Sequence, residues 1–141
     1  MSVPVVLLPV FVLVVLTFLI AFRMGYLRVN AIRSGQVHPR DIALREPNWP
    51  PHVRQIENAY HNQLELPLLF YVLTILALIT KQADLLFVLL AWVFVTLRVI
   101  HAFIHVTDNN VPRRGLVFVV SVIVLAVMWG IFILRVLLAA I

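Results

Sequence analysis

Apolar residues run along this chain in four long blocks separated by short polar stretches. Val3 to Phe22 contains 20 residues without a charge, and Leu116 to Leu134 contains 19 more. Each approaches the ~20 residues that a helix needs to cross a ~30 Å hydrocarbon core. Two further blocks lie between them, parted only by the polar turn Lys81-Gln82-Ala83-Asp84. The pattern predicts an all-α, integral membrane four-helix bundle of one domain, with spans at about 3–30, 58–80, 85–106 and 115–139. No internal repeat or low-complexity tract interrupts it.

The long polar loop, about 34–57, breaks the pattern between the first two spans. Ser34-Gly35 stops the first helix, and Pro39, Pro47, Pro50 and Pro51 argue against a long helix in the loop itself. Loops longer than ~12 residues are usually functional or disordered, so this one is either a flexible linker with Trp49 at the interface or a folded cap over a site. Pro4 suits a helix start, and Pro9 predicts a kink. The first span lacks the basic leader and small-residue cleavage site of a secretory signal, so it is expected to be retained.

Composition agrees with a membrane chain: 63% of the 141 residues are hydrophobic and 12% charged, with a mean hydropathy of +1.06. The absence of cysteine excludes disulfides and protein thiolate chemistry. The net charge of +5 is unevenly placed. Arg23, Arg28, Arg33, Arg40, Arg45 and Arg54 flank or occupy the first loop, and Arg113 and Arg114 the third. The positive-inside rule then puts the first and third loops in the cytoplasm and both termini outside. Topology already accounts for this basic bias, so it is no sign of nucleic-acid binding. A bacterial cytoplasmic membrane is the expected location.

Candidate chemistry concentrates where polar residues enter the second and third spans. Asn58, His61, Asn62 and Glu65 fall at spacings of three and four, one face of a helix. Arg98, His101 and His105 do the same on the third span. Glu65 lies ~10 Å and Arg98 ~12 Å from the cytoplasmic ends of their helices at ~1.5 Å per residue, so the two should share one layer and form an ion pair. An inert buried pair would need fewer polar neighbours than this layer contains. Two histidines four apart without a third ligand make a poor metal site, and the three serines lie far from them in sequence. What remains is a cationic, hydrogen-bonding pocket open to the cytoplasm, suited to a small anionic ligand whose co-reactant arrives from the bilayer.

These residues resemble the MAPEG family, the membrane-associated proteins in eicosanoid and glutathione metabolism, over nearly the whole chain. Asn62-Gln-Leu-Glu65, followed by Pro67, resembles the family's N-x-x-E signature in the second helix, and Arg98-x-x-His101 its R-x-x-H or R-x-x-Y signature in the third. His105 stands where several members carry tyrosine, and Arg113 or Arg114 where the family places a thiolate-binding arginine. The resemblance implies a homotrimer with glutathione, as cosubstrate, bound between subunits. Asn58, Asn62, Glu65, Arg98, His101 and His105 would bind it, and Arg113 or Arg114 would be catalytic. The implied function is a glutathione-dependent transferase or peroxidase acting on a lipophilic electrophile; the alternative is a noncatalytic member that binds membrane lipid or acts as a scaffold. Asn58 occupies the position, four residues before the signature asparagine, where strong glutathione binders carry arginine, and Arg54 or Arg28 is the nearby substitute.

Overall fold

The computed structural model describes residues 1–139. Among them the chain is helical without strands: α1 spans Val3–Arg33, α2 Pro51–Leu64, α3 Leu66–Ile79, α4 Leu85–Val106 and α5 Val111–Leu138, with a 3₁₀ turn at Pro39–Ile42. α2 and α3 together make one membrane-length unit, so four helical units are long and apolar enough to cross a bilayer.

Local chemistry sets the boundaries. α1 ends where Gly35 adopts a φ of +73° and the Gly35 and Gln36 N–H groups donate to the carbonyls of Ile32 and Ala31. This is a Schellman closure, for which glycine incurs no steric cost. The same pair of bonds closes α3 around Lys81, from Lys81 N–H to Leu78 and Gln82 N–H to Ala77. Asp84 then caps α4 by accepting from the Phe87 N–H at 2.9 Å, and Asn110 caps α5 by accepting from the Arg113 N–H at 3.1 Å.

α2 begins at Pro51, earlier than hydropathy indicates. Its first two turns are largely polar and bury only Val53 and Ile56, so they are helical through packing on α1 rather than through contact with lipid. Pro67 explains the break at Glu65 between α2 and α3. Proline has no N–H to give the Gln63 carbonyl, and its ring crowds that carbonyl, so the backbone turns out of helical geometry at Glu65 (φ −90°, ψ −92°).

Three apolar clusters stack along the bundle. The largest lies toward the Lys81 end and joins Val6 and Leu13 of α1, Phe70 and Leu73 of α3, Phe94 of α4 and Leu125 of α5. The Phe70 and Phe94 rings are 4.9 Å apart. Lipid is as apolar as leucine, so close packing rather than water expulsion holds this part, and buried Ala77 and Ala91 let the backbones approach. A second cluster joins Ile20, Ile56, Ala59 and Ala102. The third joins Ala31, Val37 and Val53 with Trp49 and Ile42, and packs the long loop onto α1 and α2 as a folded cap. Thirty-one residues make α1 ~46 Å long, and this last cluster lies on the part that exceeds a ~30 Å core.

Candidate functional site

Gln63, Arg98 and His101 form a buried polar layer between the first and second apolar clusters. Arg98, on the inner face of α4, is 0% exposed. Its Nη2 donates to the backbone carbonyl of Asn62 at 2.8 Å. That carbonyl is available because α2 stops at Leu64, two residues later, so the break made by Pro67 supplies the acceptor for the buried cation. The guanidinium carbon stands 5.7 Å from the Phe118 ring centroid, a cation–π distance. Arg98 Nε and Nη1 have no protein acceptor.

The expected Glu65–Arg98 ion pair does not form within the chain. Among the described residues no salt bridge joins them; Glu65 sits at the helix break with its side chain exposed, and Arg98 takes the freed carbonyl instead. A charge spacing in the sequence cannot register a competing backbone acceptor.

His101 and His105 are each 2% exposed, with their rings edge-on at 5.7 Å. His101 also lies 5.7 Å from Phe118, and both Nδ1 atoms lack protein partners. Among the described residues no group of three potential metal ligands gathers here or elsewhere. Gln55 braces this end of α4 by donating from Nε2 to the carbonyls of His105 at 2.8 Å and Thr107 at 3.2 Å.

Arg114 is half-buried and lines a recess of about 220 Å³ with Asn62, His101, Gly115 and Phe118. Its Nη1 donates to Asn109 Oδ1. Arg113, one residue earlier, is exposed and does not line the recess. A hollow of about 280 Å³ lies alongside, walled by Arg54, Gln55, Asn58 and Asn109. The two adjoin, since Asn62 Nδ2 donates to the Asn58 carbonyl at 3.1 Å and Asn109 holds Arg114. They share no lining residue, and the one that holds Arg114 is a groove between α2, α4 and α5.

Asn58 and Arg54 also border a third recess, of about 410 Å³, under the folded loop. There Arg28 Nη2 meets Glu57 Oε1 at 2.6 Å, and the Arg28 guanidinium lies 5.0 Å from the Trp49 ring centroid. His61 Nε2 is 3.9 Å from Glu57. Sequence reasoning missed Gln63, Gln55, Asn109 and Phe118. Gln63, 1% exposed with neither end of its amide partnered, stands between the predicted site residues Asn62 and Glu65; Gln55 lies on the same helical face as Asn58 and Asn62 but in the stretch read as loop, and Asn109 and Phe118 carry no polar periodicity.

The family model for MAPEG matches residues 6–134. The chain belongs to the MAPEG family. It is therefore an integral membrane protein of a family that includes glutathione transferases and peroxidases. No curated protein and no solved structure matches this MAPEG chain. The N-x-x-E and R-x-x-H motifs of the sequence meet in the observed contact between Arg98 and Asn62.

Proposed function

We propose that the groove between α2, α4 and α5 binds glutathione as cosubstrate, and that the protein is a homotrimeric transferase or peroxidase acting on a lipophilic electrophile. The observation that supports this reading best is Arg98: a fully buried cation with two guanidinium nitrogens uncommitted, beside a recess that also holds Asn62 and Arg114. Such donors are costly to leave unpaired, and although Arg98 does not itself line the recess, a small anionic ligand that displaces the side chains covering it would satisfy them. Glu65 adds a second support. It is exposed on the outer face of the bundle next to an apolar segment, where a carboxylate facing lipid is expensive and one facing a neighbouring subunit's ligand is not. The first and third loops face the cytoplasm on this reading, as the arginine bias indicates, which opens the groove to a soluble thiol.

Chemically, Arg114 stabilises the glutathione thiolate, because a cation near sulfur lowers the thiol pKa and increases the nucleophilic fraction at neutral pH. The thiolate attacks the electrophilic carbon, a C–S bond forms, and the leaving group departs with its bonding pair. In the peroxidase case it attacks a peroxide oxygen and displaces alkoxide, which takes up a proton to leave as the alcohol; the glutathione sulfenic acid so formed then reacts with a second glutathione, giving the disulfide and releasing water. A noncatalytic lipid-binding role is the second reading, favoured by Asn58, which puts a neutral amide where strong glutathione binders carry arginine.

The test is calorimetric titration of the detergent-purified protein with glutathione, with thiolate absorbance followed alongside. Heat together with a thiolate band is expected, and both should vanish in Glu65→Gln combined with Arg98→Leu. Normal binding by that double variant would refute the site, and binding without conjugation of a generic electrophile would favour the lipid-binding role.

A further inference from the structure

Arg114 poses a problem that the sequence does not reveal. It lies in the first turn of α5, where the helix dipole disfavours a cation. It also carries a long, flexible side chain that has to face one small recess. The residue that answers both is Asn109, just beyond the end of α4.

We infer that Asn109 is a positioning residue that holds the Arg114 guanidinium in the recess shared with Asn62 and His101; this rests on the reading that glutathione occupies the groove. Three features fix Asn109. Its backbone has a φ of +51°, a left-handed conformation that asparagine tolerates better than most residues. Its N–H donates to the Ile104 carbonyl at 2.8 Å, which ties it to the end of α4. The flanking turn is held from both sides, by Gln55 on the Thr107 carbonyl and by the Asn110 cap on α5. With the backbone fixed, Asn109 Oδ1 accepts from Arg114 Nη1. The amide oxygen gives the guanidinium a dipole to rest on without cancelling its charge. A carboxylate there would hold the arginine equally well and neutralise it, which would remove the field that a thiolate needs.

The charged or titratable groups around this pair are His101, His105 and Arg98 on α4, Arg54 of α2 in the hollow beside Asn109, and Asp108 and Arg113 at the same turn, and replacing Asn109 leaves each of them in place. Asn109→Gly keeps the left-handed backbone and its N–H while deleting the acceptor. Asn109→Asp keeps the acceptor and adds a charge.

The experiment titrates the thiolate absorbance of glutathione bound to the full-length protein in detergent against pH, with S-methylglutathione, which has no thiol, as the binding control. Asn109→Gly is expected to raise the thiol midpoint by about one unit, with the affinity for S-methylglutathione unchanged. Asn109→Asp should raise it further, and should do so even where the glycine variant does not fold. In an Arg114→Met background Asn109→Gly should add nothing, because the effect passes through the arginine. A wild-type midpoint in both Asn109 variants, or a glycine shift that persists without Arg114, overturns the inference and leaves the glutathione reading intact. A wild-type protein that gives neither heat nor a thiolate band with glutathione overturns the glutathione reading, and this inference with it.

Discussion

Arg98→Met separates the two things that Arg98 could be doing, because a buried cation affects folding and ligand binding through different interactions. On the folding side, methionine loses the hydrogen bond to the Asn62 carbonyl, which is charge-assisted and contributes ~1.5–3 kcal/mol. Against this stands the cost of burying the charge. Arg98 is eight residues, or ~12 Å, from the end of a 22-residue helix ~33 Å long, so it lies ~4–5 Å from the helix midpoint. A cation that deep costs ~2.5–3.5 kcal/mol on the insertion scale. At mid-range the two figures cancel to within ~1 kcal/mol and at their extremes to within ~2 kcal/mol, so the thermal midpoint in detergent should move by no more than about 8 °C in either direction. Binding has no such cancellation. Loss of one charged hydrogen bond to the ligand, at ~1.5–3 kcal/mol, weakens glutathione by roughly 10- to 150-fold. Circular dichroism melts paired with calorimetry read both quantities on the same sample. A midpoint lowered by about 10 °C or more together with unchanged glutathione affinity would make Arg98 a structural residue and refute the reasoning.

Three further outcomes are expected. Arg114→Ala should remove the glutathione thiolate band at neutral pH and shift it to higher pH while Arg113→Ala leaves it intact, since only Arg114 lines the recess; equal effects would refute the assignment. Gln63→Leu should raise the thermal midpoint, because it removes a 1% exposed amide with neither end partnered, a burden of ~1–3 kcal/mol; a drop would mean that the amide is satisfied by something bound. At the other end of the bundle, the Phe87 N–H and Arg135, 2.7 Å away, hold the Asp84 carboxyl below its ordinary pKa. A depressed carboxyl contributes stability above its unfolded value, near pH 4, and loses it as pH falls through the folded value. Asp84→Asn, which keeps a capping oxygen, should therefore flatten the acid limb of a melting-temperature profile by less than ~1 kcal/mol, as both partners are partly exposed. An unaltered acid limb would show that the Asp84 charge, with its Phe87 and Arg135 contacts, contributes nothing to stability.

The sequence disclosed the long apolar helices because contact with lipid selects for uninterrupted hydrophobicity, and hydropathy reads that directly. It concealed the first turns of α2, where only Val53 and Ile56 are buried and polar Gln55 and Glu57 bind α4 and α1. It disclosed Asn62, Arg98 and His101 as one layer, since helical spacing sets which face a residue occupies and depth sets the level. It misjudged what Arg98 touches. The deciding acceptor is a main-chain oxygen released by Pro67, and side-chain spacing carries no information about that. Arg113 and Arg114 could not be separated by periodicity either, being adjacent; the turn that holds Asn109 separates them.

The distribution of unpartnered polar atoms shows how the fold tolerates such a site. Arg28 Nε, both ends of the Gln63 amide, two nitrogens of Arg98 and the Nδ1 atoms of His101 and His105 all lie toward the end that carries the long loop; among the described residues only Trp129 Nε1 lies elsewhere. Each such group costs ~1–3 kcal/mol when buried, a sum that a small bundle sustains only if something else holds its helices together. The Phe70–Phe94 cluster does so, because it joins α1, α3, α4 and α5 away from the polar layer and depends on none of its members. Stability and recognition are thereby divided along the helix axes. This division is why substitution of a buried arginine is expected to spare the fold, whereas the same change among the phenylalanines would not.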